Sequence, residues 1–195
     1  MKILSCASFY GSGSSAVLDL LSEYSEVKST NNFEFRLLHD PDGISDLEFH
    51  LVQCHNRHNS GFALKRFLKL SKFYKNDPKN RYETCFNGKF YSLIEQYISR
   101  ITDFKYRGWW FYDAYDGCGF FEYYSLMLFR KVLRLITKGS FDIFPFEVTY
   151  CPHPSAEKFL KETQLFIREL CQAANLERYP YLVFDQVVPL SLIHI

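Results

Sequence analysis

The sequence predicts an α/β fold: a mostly parallel sheet with a helical insertion. Three observations lead there. Short apolar runs at 3–9 and 181–184 are bounded by turn residues and read as buried strands. The segments between them repeat apolar residues at helical spacing. The order strand, helix, strand, long helical stretch, strand suits parallel pairing through crossovers. With 195 residues, 47% hydrophobic and 18% aromatic, the chain can bury a sizeable core in one domain.

The elements follow in order. After the first strand, Val17, Leu20, Leu21 and Tyr24 fall on one helical face, and Ser12, Ser14 or Ser15 stands where a cap is needed. "NNFEFRLL" alternates, which predicts a second strand over 33–38. "DPDG" is a turn by composition. A helix follows it, with Ile44, Leu47 and Leu51 on one side. Ala63, Phe67, Leu70 and Tyr74 predict a helix over 61–74, and 75–80 reads as a loop. Phe90, Ile94, Tyr97 and Ile101 predict a helix over 90–101. Another spans 122–138, with Gly139 as its stop. The clearest helix is 155–174. Ser155 caps it, Glu157 lies in its first turn, Phe159, Thr163, Phe166 and Leu170 form its stripe, and Asn175 closes it. The last strand ends at Asp185. The insertion occupies about 43–139 of a single domain, 1–189.

Several classes recede. A net charge of +1 gives no global pull toward nucleic acid or an anionic membrane. No apolar run reaches the ~18 residues that span a bilayer, so no transmembrane segment is expected. Only Ile3 and Leu4 precede Ser5, too few for the roughly 7–15 apolar residues of a secretion signal. The six cysteines contain no C-x-x-C pair. Reduced thiols in a cytoplasmic protein are the expectation. His55 and His58 are three apart with no third ligand nearby, so no metal is expected.

The informative stretch is "SFYGSGSSAVLDLLSEY", residues 8–24. Glycines permit a tight turn with no Cβ in the way. Successive N–H groups can then line one concavity, and a helix start adds unpaired donors with partial positive charge. Gly11, Ser12, Gly13, Ser14 and Ser15 are therefore candidates to hold a phosphate or sulfate. A plain serine cap on a glycine turn is the competing reading. The stretch departs from the G-x-x-x-x-G-K-[ST] phosphate loop: Ser14 stands where lysine belongs and Ser8 where the first glycine belongs. That disfavours an ordinary ATPase or GTPase.

"ASFYGSGSSAVLDLLSEY" resembles the 5′-phosphosulfate loop of P-loop sulfotransferases, which use 3′-phosphoadenosine 5′-phosphosulfate as sulfuryl donor. Their loop has the form [KR]-[ST]-G-[ST]-[ST]. Ser12, Gly13, Ser14 and Ser15 match its last four positions, and Gly11 replaces the basic residue. "HDPDGISDLE" and "VFDQVVP" add a wider likeness to bacterial sulfotransferase-like proteins. The resemblance implies a P-loop NTPase-like three-layer fold. It also implies sulfuryl transfer to a hydroxyl of a glycan or small molecule, with the phosphosulfate donor as cosubstrate and no metal. In such enzymes a general base near the second strand takes the acceptor proton, which would fall to Glu34. Period two also places Glu34 with Arg36 and Leu38, opposite Phe33, Phe35 and Leu37, as a solvent-facing residue would be.

Three further stretches bear on function. "CHNRHNSG" offers Arg57, Asn59 and Ser60 for a polar acceptor, or a capped loop. Residues 104–124 hold eleven aromatics in twenty-one positions. Such clusters are mostly core, though Trp109, Trp110 and Tyr112 suit a glycan platform. "YLVFD" resembles a Walker B strand with Asp185 placed for Mg²⁺. It supports the alternative of a nucleotide kinase or NTPase. A non-catalytic nucleotide-binding protein is a third class. Finally, the tail "LSLIHI" can be encoded by CTG TCT CTT ATA CAC ATC, which resembles a transposon-end sequencing adapter. Residues 190–195 are therefore expected to be non-native, and the natural protein to continue past Pro189. The domain would then be C-terminally incomplete and the fragment inactive.

Overall fold

The computed structural model describes residues 2–6, 13–29, 35–78, 82–108, 120–140 and 147–185. Among them the chain is mixed α/β. Strand β1 is Lys2–Cys6, helix α1 Ser14–Ser22 and strand β2 Val27–Ser29. A 3₁₀ turn, Arg36–Leu38, leads to α2, Ile44–Glu48, which continues as a π-turn through Phe49–Gln53. Then come α3, Arg57–Asn76, α4, Tyr82–Cys85, and α5, Phe90–Ile101. Strand β3, Phe104–Gly108, precedes α6, Phe120–Ile136, and β4, Glu147–Cys151. Helix α7, Ala156–Ala173, leads to β5, Tyr181–Asp185.

Two compact units result. One holds Met1–Phe104 and Tyr150–Ile195, the other Lys105–Thr149. In the first, β1, β5 and β2 form a parallel sheet in the order β1-β5-β2. Cys6 pairs with Asp185, and Ser29 with Val183. The expected parallel pairing of the first and last strands is therefore present. Leu182, Val183 and Phe184 of the central strand are all buried, as a continuous apolar run requires when both faces are covered. Strands β3 and β4 make a separate two-stranded sheet.

The core joins β5 to α3, α5 and α7. Tyr97 of α5 stacks on Phe166 of α7 at 4.7 Å between centroids, and its hydroxyl meets Thr163 Oγ1 at 2.8 Å. Arg100 clamps the same pair of helices, donating to both carboxylate oxygens of Glu169 at 3.2 and 2.8 Å, with Glu162 at 2.9 Å. Capping follows the sequence closely on α7. The Ser155 hydroxyl accepts the Lys158 N–H, and Asn175 sits beyond the helix at φ 57.

Three expectations change. The second strand predicted at 33–38 is not one over its described part: Arg36–Leu38 is a 3₁₀ turn, and the short strand β2 lies earlier. Leu37 and Leu38 are both buried. Neighbours in a strand point to opposite faces, so a turn is the conformation that sends both into this core. The helix expected at 61–74 begins four residues sooner, because the Asn56 side chain accepts the His58 N–H and caps it there. On α1, the expected face is turned outward. Val17, Leu20 and Tyr24 are exposed, while Ser14 and Leu18 are buried. Leu18 stands beside that stripe, and Ser14, four residues before it, shares the buried side.

Candidate functional site at the carboxyl edge of the sheet

The parallel sheet has one edge where all its strands end, at Cys6, Ser29 and Asp185. In open α/β sheets ligands bind in the crevice outside that edge. The glycine–serine stretch lies in sequence between β1 and α1, and its described part begins at Gly13. Gly13 stands at the N-cap of α1 with φ 85, the left-handed region open to glycine. A Cβ at this position would meet nothing within 4 Å. Among the described residues no side chain caps the helix start. Of the serines the sequence offered as a cap, Ser14 and Ser15 lie within α1 and Ser12 lies outside the described residues; the Ala16 N–H donates to Gly13 O at 3.1 Å. Ser14 is buried and Ser15 exposed. Gly11 and Ser12 lie outside the described residues, as does Glu34, the candidate base.

Arg57 opens α3. Asn59 is exposed on its first turn, and Ser60 is buried. The Ser60 hydroxyl lies 2.9 Å from both His50 O and Asn56 O. Its proton ties the π-turn to the start of α3, an arrangement of the kind the capped-loop alternative describes. Across from that turn, His55 Nε2 donates to Pro152 O at 3.2 Å, and the His55 and His153 rings lie 4.1 Å apart between centroids. No group of three metal-donor side chains occurs among the described residues. Trp109, Trp110 and Tyr112 lie outside them. Asp185 ends β5, in register with Cys6.

A partly buried polar cluster around the 40–43 turn escaped sequence reasoning. Asp40 accepts from Arg36 Nε at 3.1 Å and from the Tyr74 hydroxyl, and His39 Nε2 is 3.6 Å away. Tyr82 stacks on Tyr74 at 4.7 Å and accepts the Arg36 N–H at 3.1 Å. Burial holds the Tyr82 phenol well above its ordinary pKa, with Tyr74 adding to the shift. Arg66 pairs with Asp42 at 2.7 Å. Gly43 is forced: a Cβ there would meet Leu37 O at 2.5 Å and Asp40 O at 2.7 Å. The advance signal was the "DPDG" turn itself; Arg36 and His39 are its neighbours in sequence, while Arg66, Tyr74 and Tyr82 come from helices further along the chain.

No protein-family model, no curated protein and no solved structure matches this chain. Among the described residues no helix is long and apolar enough to cross a membrane.

Proposed function

We propose that this chain has a P-loop-type fold and a sulfotransferase-like function, binding 3′-phosphoadenosine 5′-phosphosulfate at the glycine–serine turn. The supporting observation is the parallel register of β1 and β5, with Cys6 opposite Asp185. It puts the turn into α1 at the carboxyl edge of a parallel sheet, where backbone N–H groups and a helix start suit an anion. In the proposed reaction the acceptor oxygen attacks sulfur in line. The new O–S bond forms as the bond from sulfur to the bridging phosphate oxygen breaks, and that oxygen keeps the electron pair. N–H donors of the turn stabilise the charge developing there. Glu34 takes the acceptor proton.

The same register favours one second reading. Asp185, beside the end of β1, suits a Mg²⁺-nucleotide in a kinase or NTPase. Melting with each nucleotide separates the two. At about 100 times its Kd, a ligand of the folded state adds about 2.7 kcal/mol, which is roughly 5–10 °C for a chain of this size. Adenosine 3′,5′-bisphosphate should produce that rise. A rise with Mg-ATP alone would support the second reading, and a rise with neither would overturn both. Asp185→Asn sharpens the contrast: removing a carboxylate should leave or strengthen bisphosphate binding and weaken that of a Mg²⁺-nucleotide.

A further inference from the structure

We propose that His55 and His153 form a two-imidazole site for a divalent late transition-metal ion, of the class of Ni²⁺, Cu²⁺ and Zn²⁺. Sequence spacing had drawn attention to His55 with His58. The structure brings a different ring to His55. His55 lies just before α3 and His153 just before α7, both within the first compact unit. Their ring centroids are 4.1 Å apart, with the planes inclined at 31°. Both residues are exposed.

One hydrogen bond decides which nitrogen of His55 offers a lone pair. His55 Nε2 lies 3.2 Å from Pro152 O. A carbonyl only accepts, so Nε2 carries the proton, and in the neutral ring Nδ1 keeps the lone pair. A metal-bound histidine almost always donates its other ring N–H to a carbonyl or carboxylate, which fixes tautomer and orientation. Pro152 O fills that role here, one residue before the second ring. The spacing of the rings fits as well. Imidazole nitrogens bond such ions at about 2.0–2.1 Å, which at right or tetrahedral angles sets two ring centres roughly 4.5–5 Å apart. The rings need part by only about 1 Å or less to reach that geometry, a small rotation for exposed side chains.

The donors select the class of ion. Imidazole suits nickel, copper and zinc, whereas calcium and magnesium take oxygen ligands. Among the described residues no third His, Cys, Asp or Glu joins the pair. Water would complete the coordination, leaving the ion exchangeable and open to a further ligand. His55 and Pro152 are 97 positions apart. A bound ion would therefore tie the entry of α3 to the entry of α7 and close a long loop, where a clip has most chain entropy to remove.

The test titrates the whole reduced chain with Ni²⁺ in a calorimeter. Ni²⁺ is the probe because, unlike Cu²⁺, it does not oxidise thiols, and Cys54 beside His55 is exposed. Ni²⁺ should bind, and at about ten times its Kd it should raise Tm by about 3–6 °C. His55→Ala and His153→Ala should each weaken binding at least about 10-fold. The double variant should be scarcely weaker than either, since one imidazole alone does not chelate. His58→Ala and Cys54→Ser, exposed in the same stretch, should bind as the parent does. Melting each variant without metal checks that the fold is intact. No binding by the parent would overturn the proposal, as would parental affinity in His153→Ala. So would loss of binding in Cys54→Ser with both histidine variants unaffected, which would assign the ion to the thiol.

Discussion

Replacing Gly61 with alanine sets two known effects against each other. Gly61 lies inside α3, where alanine would favour the helix by about 0.8–1.0 kcal/mol. But an added Cβ would sit 2.6 Å from Tyr150 O. Ordinary contact begins near 3.5 Å, so α3 or β4 must retreat by about 0.9 Å. Neither is free to do so. Ser60 ties the helix start to His50 O, and the next carbonyl along β4, that of Cys151, accepts the Asp103 N–H at 3.2 Å. Overpacking of this kind costs about 1–3 kcal/mol, and the rigid surroundings place it at the upper end. The net expectation is a loss of about 1–2 kcal/mol, or roughly 2–8 °C in Tm. Thermal melts followed by circular dichroism measure it. Asn59→Ala is the control: it is exposed on the same turn and gains propensity without a clash, so it should be neutral or slightly stabilising. If Gly61→Ala melts at or above the parent while Asn59→Ala behaves as stated, the close approach of α3 to β4 is wrong.

Other outcomes follow from the same structure. Burial pushes the Cys171 thiol up from 9.0 to about 11, so the unfolded chain loses this proton first, and stability should fall between pH 9 and 11. Cys171→Ala should flatten that part of a denaturation-versus-pH curve, and an unchanged slope would count against the assignment. At pH 8 a thiol reagent should modify exposed Cys54 in the native protein and leave buried Cys171 untouched until unfolding. Gly13→Ala should cost about 1–2 kcal/mol although the space is open, because φ 85 disfavours any Cβ. Chemical denaturation reads this, and full stability would mean the turn has another conformation. Tyr97→Phe should cost about 1–2 kcal/mol by leaving the buried Thr163 hydroxyl without its partner, and Tyr97→Phe with Thr163→Val should recover part of the loss in the same assay.

What could be read from the sequence was what depends on near neighbours. The span of α5 follows from Phe90, Ile94, Tyr97 and Ile101, all of which are buried. Ser155 and Asn175 mark the ends of α7 because caps are local chemistry. The misses were non-local. Nothing in "VKS" announces a strand; Val27–Ser29 is one because β5 arrives beside it from the far end of the chain. Arg36–Leu38 gave up a plausible alternation to a core formed with Tyr82 and Phe184. Gly61 looked like a helix start, whereas its missing side chain makes room for a strand about ninety residues later in the chain. The candidate site divides the same way. Gly13 was legible as a turn glycine, while the closing of the Ser60 hydroxyl onto His50 required the π-turn, which no periodicity signals.

The strand order also explains why a glycine–serine turn needs more than its own residues to be meaningful. A turn into a helix offers N–H donors wherever it occurs. Whether a ligand can reach them depends on which edge of the sheet they occupy and on what ends beside them. Here β5 enters between β1 and β2, parallel to both. All three strands therefore deliver their carboxyl ends to one edge, and the segments that follow Cys6 and Ser29 start on opposite sides of Asp185. Had β5 run antiparallel, its start at Tyr181 would have replaced Asp185 at that edge. The chemistry proposed for residues 11–15 thus rests on a pairing made with a strand more than 160 residues away.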